Sequence, residues 1–116
     1  MKLTERQETI LSKMQEFGRR NLFRYKEHTP YLFGEDCKRV KAGDAYCIFG
    51  LGVLSYQIGY ALELPAAAVL STFKALERKG LVMCETSHPT YHRPLYWWPV
   101  GLAAELAEEL SEEALK

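Results

Sequence analysis

At 116 residues, with 47% hydrophobic and 26% charged side chains and a formal net charge of zero, the chain is sized and composed for one globular domain. No apolar run is long enough to span a bilayer, and the neutral total argues against a protein that coats nucleic acid by bulk charge. Cys37, Cys47 and Cys84 lack framework spacing, and MKLTERQETI lacks a signal peptide's apolar run, so a reducing cytoplasm is the expected location and no membrane is expected as a partner.

In chain order, the first element is a helix over residues 1–18. Thr4-Glu5-Arg6-Gln7 fits a capping box, in which the Thr4 hydroxyl accepts from an amide at the helix start and Gln7 reaches back to the Thr4 amide. Ile10, Leu11, Met14 and Phe17 recur at helical spacing as one apolar stripe. Gly18 is the expected stop, because glycine tolerates a left-handed cap. Residues 19–53 read as an irregular insert of basic and aromatic side chains without a sustained period. Turns or short strands are expected around Gly34, Gly43, Gly50 and Gly52, with a short helix also admissible. A connection of that length in a small domain has its own structure or a task. Residues 1–41 hold ten Lys/Arg against six Asp/Glu and residues 42–116 five against nine, so the neutral total divides into a basic and an acidic part.

The stretch SYQIGYALELPAAAVLSTFKALERKGLV, Ser55 to Val82, has the clearest pattern. Ser55 is a candidate cap for a helix to about Leu62, with Ile58 and Leu62 on its inner side and Gly59 allowing a neighbouring helix to come close. Glu63-Leu64-Pro65 forms a corner, and Pro65 suits the first position of a second helix. That helix runs through Lys79, stops at Gly80, and turns Val69, Phe73 and Leu76 inward. Residues LVMCET and LYWWPV are expected as strands around the loop SHPTYHRP, with at least one of Trp97 and Trp98 in the core. The last residues, 101–116, make an acidic amphipathic helix with Leu102, Leu106 and Leu110 on its apolar stripe.

Helix, helix, corner, helix, two-stranded hairpin, helix: this order resembles the winged helix-turn-helix family. The resemblance is carried by Ser55, Ile58, Gly59, Leu62, Leu64-Pro65, Val69, Phe73, Leu76 and the exit LERKGLV, and it covers about half the chain. It implies a mostly helical α+β domain over 1–116, with the helix pair at 54–80 and the wing at 81–100. It also implies double-stranded DNA as the partner, with the second helix of the pair in the major groove. Carried over by position, the groove-facing residues are Ala66, Ala67, Leu70, Ser71, Lys74 and Arg78, with Ser55 and Tyr56 near phosphates and His92 and Arg93 at the wing tip. Arg19, Arg20 and Arg24 are candidate phosphate contacts, although such a run more often forms a solvated rim with aromatic anchors. Alanine cannot grip a base edge by hydrogen bonds; it can touch a thymine methyl or let the backbone approach. The same apolar face would also suit a protein partner.

Among Cys37, Cys47, Cys84, His28, His88 and His92 there is no CxxC pair, His88-x-x-x-His92 is broken by Pro89 and falls in a loop rather than on a helical face, and no glycine-rich phosphate cradle is present. No metal, cofactor or enzymatic activity is expected. Leu102, Leu106 and Leu110 either pack on the first helix or pair with a second copy, as terminal helices of two-fold regulators do. The resulting expectation is a small sequence-specific transcriptional regulator, a repressor acting as a homodimer. The alternative is a winged-helix module that binds a protein and does not read DNA, such as a mobile-element factor inhibiting a host protein.

Overall fold

The computed structural model describes residues 2–42, 52–84, 96–102, 104, 105 and 108. Helices α1 (Glu5–His28), α2 (Pro30–Lys41), α3 (Ser55–Leu62) and α4 (Ala66–Arg78) precede strands β1 (Val82–Cys84) and β2 (Trp97–Pro99), which pair antiparallel. The helix pair α3–α4 followed by the base of a two-stranded hairpin is a winged helix-turn-helix arrangement, in a mostly helical α+β fold.

The capping box forms as expected: the Gln7 amide donates to Thr4 Oγ1 at 3.1 Å and the Thr4 amide to Gln7 Oε1 at 3.0 Å. The stop at Gly18 does not form, and α1 continues to His28. Gly18 lies on the buried stripe Ile10, Met14, Gly18, Leu22, so the stripe has one more apolar turn to bury beyond it. Burying a leucine is worth about 1.5–3 kcal/mol, more than the roughly 1 kcal/mol that glycine costs inside a helix. The break comes instead at Thr29, whose amide and hydroxyl both donate to the Tyr25 carbonyl at 2.9 Å, and Pro30 then opens α2.

The insert is a second correction. Its residues 30–41 form a regular helix rather than turns around Gly34. Phe33 and Cys37, one turn apart, are buried, and the Tyr25 hydroxyl donates to an Asp36 carboxylate oxygen at 2.6 Å. The Lys26 ammonium lies 5.8 Å from the centre of the Phe33 ring. Contacts across the α1–α2 turn therefore add to the stability of this helix. Gly43 and Gly50 lie outside the described residues.

One core joins the elements. Ile10 and Met14 of α1 meet Ile58 of α3, Val69, Phe73 and Leu76 of α4, and Val82, Cys84 and Trp97 of the strands. Val53 adds a bridge on the far side of β2, its amide and carbonyl exchanging bonds of 2.8 and 2.9 Å with Trp97. Trp97 of β2 is thus flanked on both sides, by the Val53 bridge and by Cys84 across the β1–β2 pair. Phe73 and Trp97 pack as a tilted aromatic pair 5.3 Å apart. Trp98 points to the opposite face of the strand and is only 2% exposed, so both tryptophans are interior. Beyond Gly101, residues 102, 104, 105 and 108 are helical, and the rest of the expected C-terminal helix lies outside the described residues.

Candidate nucleic-acid interface

The helix pair begins one residue earlier than the sequence implies. Leu54, not Ser55, holds the cap position of α3, and its amide donates to Gln57 Oε1 at 2.9 Å. Ser55 becomes the first helical residue and is half-buried, while Tyr56 beside it is exposed. Helix α3 ends at Glu63, whose backbone is left-handed (φ 57°, ψ 43°). Its amide and that of Leu64 both donate to the Gly59 carbonyl, the latter at 2.8 Å. Pro65 stands in the cap position of α4, one residue before the helix, and its carbonyl accepts from Ala68 and Val69 at 3.0 and 3.2 Å.

These two corners fix how α4 faces outward. Val69, Thr72, Phe73 and Leu76 are buried, with the Thr72 hydroxyl donating to the Ala68 carbonyl at 3.0 Å. Ala66, Ala67, Ser71, Lys74 and Arg78 are exposed. Positions 67, 71, 74 and 78 follow one helical stripe, apolar at its start and cationic at its end. Leu70 differs from the other groove-facing candidates: it is half-buried and packs against the core, at the edge of the ridge. Among the described residues, neither Lys74 nor Arg78 has an ion-pair partner. Their charges are therefore open to an external anion.

Sequence reasoning missed Tyr60. It is 90% exposed, one turn beyond Tyr56, which is 56% exposed, so α3 presents two tyrosines to solvent. The signal was present in the heptad: positions 56 and 60 lie opposite the inward Ile58 and Leu62.

The other candidates are placed as follows. Arg19 reaches Glu105 at 2.9 Å, and Arg20 reaches Glu16 at 3.4 Å while lying over the Phe17 ring at 5.1 Å. Exposed pairs of this kind contribute about 0–1 kcal/mol, so a phosphate could replace the carboxylate at little cost. Arg24 is exposed. His92 and Arg93 lie outside the described residues, as do Leu106 and Leu110. Leu102 is 4% exposed within a single chain, so it belongs to this chain's own interior and offers no free surface to a second copy. Of the described wing aromatics Tyr96, Trp97 and Trp98, only Tyr96 reaches solvent, and its side chain lies against Gly52.

Chemistry of other kinds has little to work with in the described residues. Among them no three His, Cys, Asp or Glu side chains gather as a metal site, and no helix is long and apolar enough to cross a membrane. The buried Cys84 thiol stands 3.5 Å from a Glu77 carboxylate oxygen. Burial first, then the Glu77 charge and that hydrogen bond, push the thiol up to about 11, so at neutral pH it is a protonated, weakly nucleophilic group. An open cleft of about 330 Å³ lies between the start of α1 and the corner, lined by Glu5, Arg6, Thr9, Leu62 and Leu64.

No family model matches the chain, and no curated protein does. Solved structures similar to it include a single-site mutant of Lactococcus lactis ZitR, 22% identical over 55% of this chain and 45% of that one, with a TM-score of 0.37. An apo double mutant of the same protein is 18% identical over 98% of this chain and 74% of that one, with a TM-score of 0.36. MepR, a transcription regulator of the Staphylococcus aureus multidrug efflux pump MepA, is 16% identical over 95% of this chain and 76% of that one, again at 0.36. The chain thus spans less than half the length of the first of these. The winged-helix arrangement follows from this chain's own element order and strand register, independently of these overlays.

Proposed function

We propose that the protein binds double-stranded DNA through the outer face of α4 and regulates transcription, as a cytoplasmic repressor acting as a homodimer. The observation that carries this is the α4 stripe itself: a helix anchored by a buried inner face, with an exposed outer face that ends in two cations lacking ion-pair partners among the described residues. Ser55 and Tyr56 at the start of α3 add amide and hydroxyl donors for phosphate. Arg19, Arg20 and Arg24, and His92 and Arg93 of the wing, are further candidate phosphate contacts in this reading.

Titration of random duplex at several salt concentrations tests it. Each lost phosphate contact should lower the slope of log affinity against log salt by about 0.9, so Lys74→Ala with Arg78→Ala should reduce it by nearly two. A slope unchanged by that pair of substitutions, or no duplex binding at low salt, would refute the proposal.

A second reading is favoured by the exposed, uncharged side chains Tyr60 on α3 and Ala66 and Ala67 on α4. There the module would bind a protein, as a mobile-element factor inhibiting host machinery would. A stoichiometric protein complex lost on Tyr60→Ala, from a chain indifferent to DNA, would select it.

A further inference from the structure

We infer that the duplex sites this protein selects are marked by thymine methyl groups, touched by Ala66 and Ala67, while Lys74 and Arg78 hold phosphates. The inference rests on the proposal above that α4 is the DNA-facing helix. In that docking the first turn of the helix reaches the base edges. Here the first turn carries Ala66 and Ala67, both exposed, and its cap is Pro65, so no side chain at that end has a hydrogen-bonding group. The most prominent apolar feature on the floor of the major groove is the C5-methyl of thymine, and alanine is a side chain small enough to rest against it.

The spacing of the remaining polar groups agrees. At 1.5 Å per residue, Lys74 stands about 10 Å along the axis from Ala67 and Arg78 about 16 Å. The major groove is about 12 Å wide. With the alanines over the bases, both cations therefore fall at or beyond the groove edge, where the phosphates run. Ser71, exposed one turn after Ala67, is the single neutral donor left between the two zones. Selectivity of this kind is modest per contact. One methyl removed from water corresponds to about a fourfold change in affinity.

The test uses the full chain and duplexes enriched by it from a random pool. In the best of these, each thymine is replaced in turn by deoxyuridine, which removes the methyl and nothing else. Affinity should fall about fourfold at one or two positions. At those positions Ala66→Gly or Ala67→Gly should abolish the difference between thymine and uracil and leave the salt slope unchanged. The uridine series needs no protein variant, so a folding defect in either glycine variant does not blunt it. Salt-dependent duplex binding that ignores every uridine overturns the methyl readout and leaves α4 as the DNA-facing helix. A uridine effect that persists in both glycine variants also overturns it, because the methyls are then read elsewhere. Failure to enrich any duplex overturns both this inference and the function on which it rests.

Discussion

Gly59→Ala is expected to destabilise the fold even though alanine is the better helix former. Intrinsic propensity alone favours the substitution by about 1 kcal/mol. Against it, a Cβ at Gly59 would lie 2.7 Å from the Leu64 carbonyl oxygen, with the Ala66 nitrogen and Val69 Cγ2 at an ordinary 3.6 Å. The obstructing atom is main chain, and it belongs to the residue whose amide donates to the Gly59 carbonyl at 2.8 Å. Relief therefore requires opening the α3–α4 corner, since no side chain can rotate away. Overpacking costs about 1–3 kcal/mol, with rigid obstructions at the upper end, which leaves a net loss of about 1–2 kcal/mol. For a domain of this size the midpoint of thermal unfolding should drop by roughly 4–8 °C. Gly34→Ala is the control: it also sits in a helix, but its added Cβ meets nothing within 4 Å, so it should gain up to about 1 kcal/mol. Circular-dichroism melts and urea titrations of both variants decide the matter. A Gly59→Ala protein as stable as the Gly34→Ala protein would refute the argument from the corner.

Glu63→Gly should raise stability by about 0.5–1 kcal/mol, because the left-handed backbone at φ 57° costs a side-chain-bearing residue more than glycine loses in chain freedom; an unchanged melt would count against it. Gln7→Ala should cost more than Thr4→Ala, which is worth about 1 kcal/mol, since Gln7 Oε1 accepts both the Thr4 amide and the Lys79 ammonium at 2.9 Å. The two melts should therefore fall in that order. The Cys84 thiol is raised from its ordinary 9.0 to about 11, so the stability linked to its proton is fully present below pH 9 and is lost as pH climbs toward 11. In Cys84→Ala that part of the alkaline loss should disappear from the pH dependence of the midpoint.

Much of the fold could be read locally. Thr4 and Gln7 announced the first helix because a capping box needs only neighbours three residues apart. Val69, Phe73 and Leu76 marked the inner face of α4, and Gly80 ends it with a left-handed φ of 76°, because both are properties of one helix and its exit. Of the residues that the resemblance implied for the outer face, Ala66, Ala67, Ser71, Lys74 and Arg78 are exposed. Leu70 escaped that logic, since half-burial at the margin of a stripe depends on how far the neighbouring elements extend.

What the sequence determined by itself was the position of elements whose cause lies within a turn or two of chain: the Thr4 capping box, the apolar stripes, the α3–α4 corner and the strands of the hairpin. Tertiary structure alone decided the rest. It carried α1 past Gly18, made a helix of residues 30–41, buried Trp98 as well as Trp97, and placed Leu102 inside its own chain. For α1 a local preference of about 1 kcal/mol for stopping at Gly18 is set against burial worth two or three times as much. The larger quantity depends on residues distant in sequence, such as Ile10 and Met14 meeting Phe73 and Trp97, which no local window contains.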